Sequence, residues 1–219
     1  MNTLQDKVVV IAGATSASGR AVARSLVDHG AKVVVVGTHQ GRLDELEVEI
    51  PGVVGERADL TDGDDVLELA MRVHAKLGDI DGVVHLVGGW RGGGGIPGQT
   101  EEDYRLLERS LTALRHVSRV FWDDLVASTA GRVAIVSSTT VEKPTAGGAN
   151  YTAIKAASES WVRSLADGFA KADSPGAAVT FRVKALAGLE QRLADEVVAL
   201  WATDAPSADL NGRVTTLQG

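Results

Sequence analysis

The chain has 219 residues, 44% hydrophobic and 23% charged, which fits one well-buried globular domain and excludes disorder. Its 25 glycines cluster at turns without a period, excluding a collagen-like repeat, and a net charge of −7 with no basic run excludes a general nucleic-acid binder. With no cysteine, disulfides, thiolate catalysis and cysteine-built zinc sites are excluded too.

In chain order, short β-branched runs alternate with longer amphipathic segments. Lys7–Ala12 reads as a strand, Ser18–His29 as a helix stopped by Gly30, and Lys32–Val36 as a second strand. A helix over Arg42–Ile50 ends at Pro51-Gly52, and Val53–Arg57 is a third strand. Asp62–Leu77 is a helix opened by Thr61 or Asp62 as the capping residue. Gly82–Val87 is the fourth strand, followed by a glycine-rich loop through Gly98 and a long helix over Glu101–Ser128. Then come strand Arg132–Ser137, helix Asn150–Lys171, strand Ala178–Val183, helix Glu190–Thr203 and strand Arg213–Leu217. Continuous apolar strands separated by helices predict a parallel sheet covered on both faces, a single doubly wound α/β domain spanning 1–219. The N-terminus has no leader pattern, and no apolar run approaches the ~20 residues of a membrane helix. A soluble, cytoplasmic protein without a membrane partner is the expectation.

Between the first strand and helix lies Gly13-Ala14-Thr15-Ser16-Ala17-Ser18-Gly19. Small residues at such a turn let the backbone approach a pyrophosphate, and the helix N-terminus donates N–H groups to it. A tight turn with no ligand is the plainer alternative. On these residues the chain resembles the short-chain dehydrogenase/reductase family, whose loop runs Thr-Gly-x-x-x-Gly-x-Gly. Gly13 and Gly19 match it, while Ala12 replaces the threonine and Ala17 the middle glycine.

The resemblance implies a Rossmann-type doubly wound parallel sheet of about seven strands with helices on both faces, and a nicotinamide dinucleotide as cofactor. After the second strand stands Gly37-Thr38-His39 with no carboxylate to repel a 2′-phosphate, and Arg42 follows, so NADP is expected, with NAD the alternative. Asp59-Leu60-Thr61 resembles the family's adenine pocket, Asp59 accepting from the adenine amino group with Leu60 beside the ring; a capping Asp is the alternative. Val87, Gly88 and Gly89 complete the expected cofactor contacts.

Ser138 follows the fifth strand, and Tyr151 and Lys155 stand four apart, on one helix face. A phenol with pKa near ~10 is a poor acid–base group at neutral pH, and a neighbouring ammonium favours its phenolate. The resemblance implies that Tyr151 transfers the proton, that Lys155 tunes it and holds the nicotinamide ribose, and that Ser138 orients the substrate oxygen.

The chain departs from the family in four places. His85-Leu86-Val87-Gly88 stands for Asn-Asn-Ala-Gly, Ser110 for the asparagine of a proton relay, and Ala187-Gly188 for Pro-Gly. The fourth is a deletion after Gly188, where a substrate-covering segment is expected and the chain instead reaches Trp201-Ala-Thr-Asp at once.

The loop Trp90–Gly98 is the candidate substitute lid, with Trp90 and Arg91 as candidate substrate contacts beside Ser138 and Tyr151. Its Gly-Gly-Trp-x-Gly-Gly looks like the loop of dihydropteridine reductases, although those favour an acidic residue after the second strand and lack the serine matching Ser138. Three functions follow: an NADP(H)-dependent carbonyl reductase or alcohol dehydrogenase, a pterin or quinonoid reductase, and a catalytically silent dinucleotide-binding regulator. His29, His74 and His116 read as helix-surface or partner-facing residues, and no metal site is expected. The resemblance also implies a homodimer or homotetramer paired through Glu101–Ser128 and Asn150–Lys171.

Overall fold

Seven parallel strands form one sheet in the computed structural model, which describes residues 4–202 and 207–218. In chain order the elements are β1 (Val8–Ala12), α1 (Ala17–Asp28), β2 (Lys32–Gly37), α2 (Gln40–Glu49), β3 (Val53–Arg57), α3 (Gly63–Leu77) and β4 (Gly82–His85). They continue as α4 (Glu101–Val120), α5 (Trp122–Ala127), β5 (Arg132–Ser138), α6 (Ala149–Lys171), β6 (Ala177–Val183), α7 (Glu190–Ala199), α8 (Ser207–Leu210) and β7 (Val214–Thr216). The spatial order is β3-β2-β1-β4-β5-β6-β7, so the winding reverses between β1 and β4. In such sheets the crevice outside the strand C-termini at that reversal is the natural ligand site.

The inner strands are largely apolar because they bury both faces, while the edge strands β3 and β7 are partly exposed. Val9 and Ile11 of β1 pack with Val33 and Val35 against α1, α2 and α7, through Val22, Leu26, Leu43 and Leu193. Val8 and Val10 face the other way, with Val34 and Val36, against α3, α4 and α6 through Leu69, Leu114 and Val162. Each such fully buried aliphatic side chain contributes about 1.5–3 kcal/mol.

Several predicted bounds shift for local reasons. The first helix starts at Ala17, because the Ser16 hydroxyl accepts the Gly19 N–H at 3.0 Å and caps it. Asp62, not Thr61, caps the third helix, accepting from the N–H groups of Asp64 and Asp65. The second begins at Gln40, two residues before Arg42.

The helix expected over Glu101–Ser128 is two helices, α4 and α5, divided at Phe121. Neither glycine nor proline marks that break. It places Phe121 and Leu125 in the core and lets the Asp124 carboxylate accept the Ile80 N–H at 3.2 Å. The fourth strand stops at His85 and the fifth runs on to Ser138. The helix expected to Thr203 ends at Ala199; Thr203 itself, with the Asp204 of the same motif, lies outside the described residues. Among the described residues no helix is long and apolar enough to cross a membrane.

Candidate active site

The turn after β1 is built on close backbone contact. Gly13 has φ +84, and a Cβ there would lie 2.9 Å from the Leu86 carbonyl carbon. A Cβ on Gly19 would lie 2.5 Å from Ala14 backbone atoms, so the first turn of α1 touches the loop it leaves. Ser18 and Gly19 are buried in that turn, shaping it, while Ser16 and Ala17 are exposed at the helix N-terminus.

Beside the turn lies a cleft of about 600 Å3. The structure brings Gly13, Thr15, Thr38 and His39 to it, together with Asp59, Leu60, Val87 and Gly88. His39 caps α2 by position, without a side-chain bond, and is exposed with Thr38 and Arg42 on the outer wall. No carboxylate follows β2 on this wall, and the Arg42 guanidinium reaches the cleft, so the donor set suits an anionic group at that end.

Asp59 is more engaged than its sequence suggests. Its Oδ1 accepts from the Thr61 hydroxyl at 2.7 Å and the Thr61 N–H at 2.9 Å, and Arg109 pairs with Oδ2 at 3.1 Å. The Thr61 hydroxyl first, then the Thr61 N–H and Arg109, hold its carboxyl below the usual range against the effect of burial. Arg109 escaped sequence reasoning, since no spacing relates a residue on α4 to a loop fifty positions away. It also lines a smaller cleft of about 280 Å3 with Val87, Gly88, Gly89, Arg91 and Ser110.

The catalytic candidates meet where β5 ends and α6 begins. Ser138 is 2% exposed, and its oxygen accepts from the Thr140 hydroxyl at 3.0 Å and the Thr140 N–H at 3.2 Å. Thr152 donates in turn to Thr140 at 3.1 Å. With its oxygen so occupied as an acceptor, the Ser138 hydroxyl keeps its own proton to donate. The Thr140–Thr152 pair is a second contribution that sequence reasoning missed.

The Lys155 ammonium lies 5.9 Å from the Tyr151 ring centre and donates to the Val136 carbonyl at 2.8 Å. Burial pushes the Lys155 pKa down to about 8, with the Glu159 charge opposing. Against expectation, the Tyr151 phenol is pushed up, because burial outweighs the Ser138 bond. The ammonium here serves the Val136 carbonyl, so its effect on the phenol is not realised in this arrangement.

Ser110 is also placed differently from a relay residue. Its hydroxyl donates to the Leu107 carbonyl of its own helix at 2.7 Å, and its carbonyl faces His85 Nε2 at 3.0 Å.

The glycine-rich loop does not hang free. Gly93 N–H donates to the Gly147 carbonyl at 2.8 Å, and the Gln99 amide donates to the carbonyls of Gly93, Gly95 and Gly147, each at 3.1 Å. The Gln99 carbonyl oxygen accepts the Asn150 N–H at 3.0 Å, capping the helix that carries Tyr151. Trp90 is 62% exposed, and Arg91 donates to the Trp90 carbonyl. Only six residues separate β6 from α7, as the deletion read from the sequence implies.

Away from the crevice, His74, Asp79 and Asp124 bring ligand atoms within 4.8 Å of one another, a grouping that chain spacing did not foresee. The contacts there are structural, His74 Nε2 pairing with Asp124 at 2.7 Å.

Comparison with known proteins agrees with this fold. The family model for short chain dehydrogenases matches residues 7–182. The oxidoreductase YvrD of Bacillus subtilis is 30% identical over 167 residues, 75% of this chain and 63% of that protein. The chain thus matches just under two thirds of that relative's length. The 3-oxoacyl-(acyl-carrier-protein) reductase of Haemophilus influenzae is 26% identical over 165 residues, 74% of this chain and 68% of that one. A solved structure of a short chain dehydrogenase from Pseudomonas syringae shares the fold, with TM-score 0.89 at 23% identity over 99% of this chain and 97% of that chain.

Proposed function

The chain belongs to the short-chain dehydrogenase family, and from that premise we propose that it transfers hydride between NADP(H) and the carbonyl or hydroxyl carbon of a small organic substrate. The observation that carries this reading is the meeting of Ser138, Tyr151 and Lys155 at the C-terminal edge of the sheet. NADP(H) supplies or takes the hydride when bound.

The chain's own residues do the rest. The backbone of Gly13–Gly19 and the N-terminus of α1 would hold the pyrophosphate. Thr38, His39 and Arg42, on one wall of the cleft, would face the 2′-phosphate, and Asp59 and Leu60 would border the adenine. In the reducing direction Ser138 donates to the substrate oxygen, and Tyr151 delivers a proton to that oxygen as the C–O double bond is reduced. A charged Lys155, turned from the Val136 carbonyl towards the phenol, would stabilise the phenolate left behind, which is the form that general acid catalysis produces. The family's oligomer would place this site in a homodimer or homotetramer, which sedimentation reads directly.

Fluorescence titration with NADPH and NADH side by side tests the cofactor reading. Tighter NADPH binding, weakened by Arg42→Ala, is expected; equal or tighter NADH binding overturns the preference. Turnover on a panel of carbonyl substrates should follow with the preferred cofactor. Binding without any turnover would instead leave a silent dinucleotide-binding regulator.

A further inference from the structure

His85 ends β4 and is 5% exposed, yet nothing in the chemistry above uses it. It stands where the family pattern has asparagine. Its Nε2 lies 3.0 Å from the Ser110 carbonyl, and a carbonyl only accepts, so Nε2 carries the ring proton. Nδ1 is then a bare lone pair, fully enclosed and without a partner. A buried acceptor left unpaired costs free energy, and such a group calls for an explanation.

The positive charge that acts on this ring is the Lys155 ammonium. His85 is paired in register with Ile135 of β5, and the next residue, Val136, supplies the carbonyl on which the ammonium rests. A Cβ on Gly88, three residues beyond His85, would lie 3.4 Å from Lys155 Nζ, so the chain just after β4 borders the ammonium. An ammonium has three N–H groups, and the Val136 carbonyl takes one.

We propose that His85 is a positioning residue for Lys155, its Nδ1 lone pair being a second seat for the ammonium beside the Val136 carbonyl. No proton is transferred to the ring. Burial first, and Lys155 second, push the His85 pKa down to about 3, so the imidazole stays neutral and only accepts. An acceptor for the ammonium favours charged lysine and so opposes the burial that lowers Lys155 to about 8. The ionisable groups around Lys155 are Tyr151 and Glu159 on α6 and His85 on β4, with Glu159 itself held by Arg182 of β6 at 2.7 Å. The chemical importance of this seat rests on the reading of Lys155 as the catalytic lysine; its existence does not.

Nitrogen-15 NMR of the imidazoles in the cofactor-free protein tests the seat directly. The His85 resonances are expected to show a protonated Nε2 and an unprotonated Nδ1, with Nδ1 shifting between wild type and Lys155→Met. If that variant does not fold, the same resonance should move as wild type is titrated through about pH 8. A protonated Nδ1, or an Nδ1 signal indifferent to Lys155, overturns the proposal.

Kinetics supply the second arm. His85→Leu should lower kcat roughly tenfold, the usual scale for a lost bond to a charged group, with KM for the dinucleotide little changed. Its alkaline limb should move to lower pH, and His85→Asn should recover most of the rate. A uniform loss at all pH values, not recovered by asparagine, would mark a merely structural residue and overturn the proposal. If wild type itself shows no turnover, the oxidoreductase reading fails while the NMR result still decides whether the seat exists.

Discussion

The loops that leave the adjacent strands β1 and β4 both reach the crevice, but they are held in opposite ways. The β1 loop is fixed by its own residues: Gly13 with φ +84, Ser16 capping α1 at 3.0 Å, and Gly19 against the Ala14 backbone. The β4 loop is fixed from a distance, by Gly147 and by a Gln99 side chain that ties it to the start of α6. Local restraint fixes the first loop against the start of α1. Remote restraint couples the position of the second to the start of the helix bearing Tyr151. A tight turn can thus be written in a few consecutive residues, whereas a long loop needs a partner elsewhere in the chain to hold it.

Substitutions at glycines in the two loops should separate these roles. Gly19→Ala forces a Cβ to within 2.5 Å of the Ala14 backbone, where no flexible side chain can yield. It should cost roughly 3 kcal/mol or more of stability, read by denaturant unfolding, with dinucleotide binding lost as well. Gly92→Ala meets the Gly147 carbonyl at 2.3 Å, a comparable clash, but in a loop that can lift away. The expected result is a loss below about 1 kcal/mol, as for a surface site, with a several-fold rise in substrate KM. Equal stability losses from the two would erase the distinction.

Smaller effects sharpen it. Gln99→Ala removes contacts to three carbonyls and the Asn150 N–H, and should cost about 1 kcal/mol while exposing residues 88–98 to limited proteolysis. Ser16→Ala should cost about 1 kcal/mol at most through the lost cap and weaken dinucleotide binding modestly, read by thermal unfolding and fluorescence titration.

The same contrast explains what could be read from the sequence. The strands and the β1 turn were legible because their causes are local: apolar runs such as Val33–Val36, and small residues between a strand and a helix. The Tyr151–Lys155 pair was legible because four residues is one helical step. The division at Phe121 was not, since it follows from Asp124 reaching Ile80 and from the burial of Phe121 and Leu125. Arg109 on Asp59, Gln99 on Gly147 and His85 on Ser110 were equally hidden, each joining positions that only the folded sheet brings together. The hydroxyl of Ser110 met the same limit: no sequence pattern says which carbonyl a helix serine will choose, and here it is Leu107.

The central claim is that Tyr151 is the acid–base group of a dinucleotide-dependent hydride transfer, and Tyr151→Phe tests it most directly. Single-turnover kinetics on the variant, with NADPH binding measured alongside, should show affinity within about twofold of wild type and a rate lowered by 10²-fold or more. Retained turnover in a variant that still binds the dinucleotide would contradict the account.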